Sequence, residues 1–309
     1  MLIAVALTAL SLNGAWDFRF EEGKSIEQVA KADFTAARTM TVPGCYDALP
    51  EFRFKRGTGL YRRTFTLEKP VDNAWLVIDG MGLRGSFEID GKSLGVHPYP
   101  YARLELETGP LAAGEHTLFA ALDNRLDWKT MKLARTFYDF YFFGGFYRSV
   151  RLEFNDRQLL VRTRDYATGE VEVCIAARDD WDDQGFGEKG ERTLVFDGTN
   201  EVKAVFADGK AVVKVPNFRL WSPEQPNLHT VALTTFSREK LSARFGIRTI
   251  EARDRKIWLN GKPVFLKGVN RHEQSRGHGV TMTRDECVRD LRILKDLGAN
   301  FIRGAHYQQ

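Results

Sequence analysis

The sequence predicts a multidomain chain dominated by β-sheet, two β-sandwiches followed by a strand–helix–strand unit. Three observations lead there. Short alternations of apolar and polar residues, separated by turn signals, fill the stretch from Trp16 to about Phe154, as in a sandwich of many short strands. A second run of the same kind extends from about Arg157 to Phe245. After Gly246 the period changes, and one amphipathic helix stands between two apolar strands.

In the first region, Leu60–Leu67 alternates as a half-buried strand does, and Ala74–Ile78 is a continuous apolar run. Ser86–Ile89, Asp90-Gly91 and Lys92–Val96 read as a hairpin, because Asp-Gly accepts the positive φ of a tight turn. Glu115–Leu122 and Ser149–Phe154 complete the set. In the second region, strands are expected at Gly169–Ala176, Thr193–Phe196, Val202–Phe206 and Ala211–Val215, with Asp208-Gly209 as a hairpin turn between the last two. About ninety residues of this pattern fit one immunoglobulin-like sandwich. The acidic loop around Asp179, Asp180, Asp182 and Asp183 could hold a cation, but it lacks recognised ligand spacing and is read as solvated.

The third region opens with a hairpin, Lys256–Leu259, Asn260-Gly261 and Lys262 onward, followed by a strand expected to be buried. Thr283 and Glu286 form a capping box. Cys287, Val288, Leu291, Leu294 and Leu297 recur at helical spacing, and Gly298 is placed to end the helix. Asn300–Arg303 is the next strand, so the pair should be parallel.

Composition narrows the function classes. The chain has 309 residues and is 43% hydrophobic, enough for two or three cored domains. Its net charge of +4 comes from 45 basic and 41 acidic residues that are interspersed, so no nucleic-acid footprint is expected. No segment reaches the ~18 apolar residues of a membrane span. Cys45, Cys174 and Cys287 are odd in number and widely spaced, which predicts reduced thiols rather than disulfides or a metal motif. Leu2–Leu10 resembles the apolar part of a secretory leader but lacks a cationic start, leaving the compartment open between cytoplasm and periplasm or exterior.

Both parallel strands end in polar clusters: Gly268-Val-Asn-Arg-His-Glu273 and Arg303-Gly-Ala-His-Tyr307. In a (β/α)8 barrel, strand carboxyl ends carry the active site. Imidazoles at two adjacent ends would then face one pocket.

These two clusters resemble the first strand segment and the signature start of glycoside hydrolase family 2, the β-galactosidase/β-glucuronidase type. Gln308 stands where that signature usually has proline. Further segments are similar in order: Ser11–Phe18, Val42-Pro-Gly44, Tyr61–Phe65, Gly144-Gly-Phe-Tyr-Arg148, Leu220–Leu228 and Phe245-Gly-Ile-Arg248. The resemblance implies a jelly-roll sugar-binding domain over residues 1–155, an immunoglobulin-like sandwich over 156–247, and the start of a TIM barrel over 248–309. Two strands and a helix leave that barrel incomplete, since a full one takes roughly 250 residues, and their apolar faces are expected to lie open.

By the same resemblance, Asp139, His272 and His306 would contact the sugar. Arg271, Arg303 and Tyr307 would support them, with Arg303 beneath the nucleophile and keeping it ionised. Arg56 stands where some β-galactosidases carry a sugar-binding asparagine, which weighs against galactose specificity. Of the run Phe137–Phe143, Tyr138 and Tyr141 are the candidates for stacking on sugar. A retaining glycosidase needs an acid/base and a nucleophilic carboxylate about 5 Å apart. The family carries both as glutamates on later strands, so they are expected beyond Gln309 and this chain alone should be inactive. Glu273 is the one carboxylate in the two clusters, and its family position is not that of the acid. The implied reaction is hydrolysis of terminal β-glycosides with retention, β-galactosides first by family frequency, with β-glucuronides and β-mannosides open. Mg²⁺ or Na⁺ in the complete enzyme is compatible with the resemblance, as is a homo-oligomer. The competing reading is a non-catalytic carbohydrate-binding or scaffold protein made of β-sandwiches.

Overall fold

The computed structural model describes residues 9–29, 34–127, 129–130, 140–178, 187 and 189–305. All elements and contacts below are among these residues. The chain divides into two compact units, one holding Ala9–Phe154 with Gly268–Gln309, the other Asn155–Lys267.

The first unit contains ten antiparallel strands: β1 (Ala9–Ser11), β2 (Gly14–Glu22), β3 (Arg38–Val42), β4 (Gly57–Leu67), β5 (Trp75–Ile78), β6 (Arg84–Ile89), β7 (Lys92–His97), β8 (Leu104–Glu107), β9 (Gly114–Asp123) and β10 (Val150–Glu153). They form a four-stranded sheet, β1-β10-β5-β8, and a six-stranded sheet, β3-β2-β4-β9-β6-β7. Alternate side chains of both sheets make one core that includes Trp16, Phe18, Tyr61, Leu76, Ile78, Phe87 and Leu122. Alternation puts every second residue on the buried face, which is why Phe87 and Ile89 of β6 are buried while Ser86 and Glu88 are not. Asp90 and Gly91, at φ 49° and 83°, turn β6 into β7 as expected.

The second unit begins with β11 (Arg157–Asp165), β12 (Glu170–Ala177), β13 (Gly190–Phe196), β14 (Asn200–Phe206), β15 (Lys210–Lys214), β16 (His229–Thr234) and β17 (Lys240–Phe245). Two sheets, β11-β12-β15 and β14-β13-β16-β17, enclose a core around Val171, Val173, Phe196, Phe206, Val231 and Ile247. One expectation fails here. Asp208-Gly209 makes a tight turn with reciprocal Ala207–Lys210 backbone bonds at 2.9 and 3.0 Å. However, β14 and β15 then run into different sheets, so no hairpin ladder forms. The turn chemistry is local, and burial of Phe206 and Ala211 in one core decides where each strand goes. β18 (Ile250–Arg253), β19 (Lys256–Leu259) and β20 (Lys262–Val264) form a small antiparallel sheet, with Asn260-Gly261 at the predicted turn. Two motifs from the sequence meet in this unit. Trp221 lies against Gly246 and under the Arg248 guanidinium, 4.2 Å from ring centre, and its carbonyl accepts from Asn260 at 3.0 Å.

The last elements belong to the first unit: β21 (Gly268–Arg271), α1 (Arg284–Asp296) and β22 (Phe301–Gly304). β21 and β22 pair in parallel, from Gly268↔Phe301 to Arg271↔Gly304. α1 begins with the predicted capping box. The Thr283 hydroxyl accepts from the Glu286 amide, and the Glu286 carboxylate accepts from the Thr283 amide at 2.8 Å. It ends in a Schellman motif, with Ala299 N–H to Leu294 O, Gly298 N–H to Lys295 O, and Gly298 at φ 81°. The burial expected of the strand after Lys262 is absent, and the apolar faces of the strand–helix–strand unit are open as expected. Phe265 is 80% exposed, Val269 42% and Leu297 77%, and no α1 residue is buried. Two strands and one helix present apolar faces that no further layer covers among the described residues.

No disulfide links Cys45, Cys174 and Cys287, and Cys45 and Cys174 are buried. No described helix is long and apolar enough to cross a membrane.

Candidate active site

Asp47, which the sequence did not single out, is the polar centre of the first unit. It sits in a 3₁₀ turn, Tyr46–Ala48, and is 2% exposed. Its carboxylate accepts from Asn124 Nδ2 at 2.9 Å, from the Gly144 amide at 3.0 and 3.1 Å, and from the Tyr141 hydroxyl at 3.3 Å. Asn124, fully buried, also donates to the Lys55 carbonyl and accepts from the Gly57 amide. Burial pushes the Asp47 carboxyl up to about 6, a rise that the Asn124 and Gly144 donors and the Arg56 charge hold in check. Burial, then the neighbouring Asp47 charge, pushes the Tyr141 hydroxyl up to about 12.

This centre fixes the aromatic segment 140–147. Arg56 Nη1 donates to the carbonyls of Asn124 and Phe142, at 3.1 and 2.8 Å, and its guanidinium lies 4.4 Å from the Tyr141 ring centre. Gly144 must be glycine, since a Cβ there would stand 2.2 Å from the Tyr46 hydroxyl oxygen. The aromatic run therefore divides. Phe142, Phe146 and Tyr147 are core residues, whereas Phe140 and Tyr141 are partly exposed. Tyr138 lies outside the described residues.

His272 follows β21, and its ring packs 5.4 Å from the Phe140 ring. On either side of it are charges held in place. Arg271 donates to Glu273 at 3.2 Å and to Asp290 of α1 at 2.9 Å. Arg148, from the Gly144–Arg148 motif, pairs with the other Glu273 oxygen and donates to the Val280 carbonyl at 2.7 Å. Cys45, Tyr147 and Val280 pack beneath this pair, and Cys45 Sγ lies 3.3 Å from Thr281 Oγ1. Glu273 is thus committed on both oxygens. Arg303, on β22, is exposed and donates to Asn270 of β21 at 3.3 Å.

Of the site residues expected from sequence, the structure places His272, Arg271 and Arg303 on the β21–β22 pair and joins His272 to the aromatic segment. Asp139, His306, Tyr307 and the acidic loop at 179–183 lie outside the described residues. Among the described residues, no three His, Cys, Asp or Glu side chains gather as a metal site requires. They do not form a Mg²⁺ site by themselves. The buried histidines His116 and His229 are structural: each bonds an Asp-Gly turn aspartate, Asp90 and Asp197, through Nδ1.

Residues 152–248 match the profile described as glycosyl hydrolases family 2, and residues 250–309 match the TIM barrel domain of the same family. The chain belongs to glycoside hydrolase family 2. Among family 2 relatives, a Formosa agariphila protein named "Putative beta-glucuronidase" is 26% identical over 273 residues, covering 83% of this chain and 33% of the relative. A "Beta-galactosidase" of Thermoanaerobacter pseudethanolicus is 25% identical over 319 residues, covering 96% and 42%. The chain therefore spans about a third to two fifths of these relatives. The family 2 β-galacturonidase of Eisenbergiella tayi, solved with glycerol, has the same fold over 97% of this chain and 54% of its own, with a TM-score of 0.73 at 24% identity.

Proposed function

We propose that this chain supplies the sugar-recognition part of a retaining exo-glycosidase acting on terminal β-glycosides. Its domains are read as a jelly-roll over 1–155, an immunoglobulin-like sandwich over 156–247 and the first βαβ unit of a TIM barrel over 248–309. The observation that carries the reading is the seating of His272, at the carboxyl end of β21, against Phe140 of the segment that Asp47 anchors. Asp139, His272 and His306 are assigned to sugar hydroxyls, with Arg271, Arg303 and Tyr307 in support. A carboxylate can accept two hydroxyl protons, and an imidazole can donate or accept, so the set suits a pyranose.

Hydrolysis by this chain alone is not expected. Glu273 is paired with both Arg148 and Arg271, and a retaining mechanism needs a pair of carboxyl groups flanking the scissile bond. β-Galactosides come first by family resemblance alone, and Arg56 weighs against them. The relatives named for β-glucuronides keep that class beside it. The test is titration of the 309-residue chain with methyl β-galactoside and methyl β-glucuronide, with a parallel turnover assay. Saturable binding of one of them, lost on His272→Ala, is expected, with no turnover. Turnover by the purified chain, or binding indifferent to His272→Ala, overturns the assignment.

A further inference from the structure

Four described residues that are neither Gly, Asp nor Asn adopt positive φ: Phe54, Tyr101, Arg238 and Arg255. For a bulky side chain this conformation is strained and persists only where the surroundings impose it. Phe54, at φ 65°, is also 76% exposed. The strain therefore does not serve to bury the ring. It turns the ring outward beside Tyr141, edge-on at 6.1 Å and 76°.

The neighbourhood is built rather than incidental. Tyr141 is fixed by Asp47 through its hydroxyl and capped by Arg56 on its face. Arg56 is itself fixed by two backbone carbonyls through Nη1, and its Nε and Nη2 make no hydrogen bond to the described residues. Arg53 and Lys55 flank Phe54 in sequence. Tyr141 is the chain neighbour of Phe140, whose ring packs against His272.

We propose that Phe54, Tyr141 and Arg56 form a saccharide subsite for an acidic sugar. The exposed Phe54 ring offers its face to the C–H face of a pyranose, and the Arg56 guanidinium takes a carboxylate on that ring. An aromatic face covers apolar area at little entropic cost, and a guanidinium matches carboxylate geometry with two parallel N–H donors. The proposal rests on the reading of this chain as a sugar binder and narrows it to uronides.

The experiment uses the 309-residue chain with methyl β-glucuronide and methyl β-glucoside, which differ only in the carboxylate. The native chain should prefer the uronide by about tenfold. Phe54→Ala should weaken both ligands by about tenfold, and Arg56→Gln should abolish the preference. Phe54→Gly supplies a readout that a structural phenylalanine would not give: thermal stability should rise, because glycine relieves the positive φ, while sugar binding falls. Binding unchanged in Phe54→Ala, a preference surviving Arg56→Gln, or no binding by the native chain overturns the subsite. If His272→Ala abolishes binding and Phe54→Ala does not, the subsite fails and the wider assignment stands. If only the Phe54 variants matter, His272 is the residue wrongly assigned.

Discussion

At the scale of single residues, Asp47 has the clearest consequence. Its carboxyl is raised from 3.8 to about 6 in the folded chain, so folding disfavours the ionised form. Below pH 3.8 the residue is protonated in both states and carries no penalty. Between pH 4 and 6 its contribution falls as pH rises, by about 1.4 kcal/mol per unit, and above 6 it is flat. The full change is about 3 kcal/mol. Urea unfolding of native chain and Asp47→Asn across pH 4–7 should give a stability difference that shifts in the variant's favour by that order. A difference independent of pH would refute the assignment. The polar hub was hidden from sequence for a plain reason. Asp47 lies 77 residues from Asn124 and 97 from Gly144, and no local spacing encodes such pairs. His272 was legible because a polar cluster terminating an apolar strand is a local signal. So was the glycine pair at 144–145, although its cause, the Tyr46 hydroxyl, was not.

At the scale of elements, local chemistry predicted termini better than burial. The capping box and the Schellman end of α1 follow from Thr283, Glu286 and Gly298 alone. Since α1 buries no residue, its ends should dominate its local stability. Thr283→Ala should cost about 1 kcal/mol and Gly298→Ala about as much, through strain at positive φ. Both should appear as faster amide exchange within α1, while the amides of β4 and β9 keep their native protection. Uniform loss of protection across those strands would show instead that α1 is cooperative with the sandwich. The same local chemistry misled at Asp208-Gly209. The dipeptide specifies a reversal, but which sheet receives the second strand depends on a core assembled from residues far apart in sequence.

At the scale of the molecule, both sandwich-forming runs and the strand–helix–strand unit were legible from period and turn spacing. Open apolar faces on the strand–helix–strand unit were expected too, whereas the strand after Lys262 was misread as buried, because burial depends on neighbours outside the element itself. Val269, Leu291, Ile293, Leu297 and Phe301 are each more than two-fifths exposed, and exposed apolar surface favours association. Sedimentation should therefore show concentration-dependent self-association of the isolated chain. Ile293→Glu with Leu297→Lys should shift it toward monomer without changing its circular dichroism. A native chain that stays monomeric at high concentration would contradict this.

The turn at Asp208-Gly209 has a mechanical corollary. It stitches one layer of the second sandwich to the other through two residues, leaving no slack between them. Neither layer can peel off alone, since lifting β15 drags on β14 at once. A load that pulls the two sheets apart here must first open the Ala207–Lys210 backbone bonds.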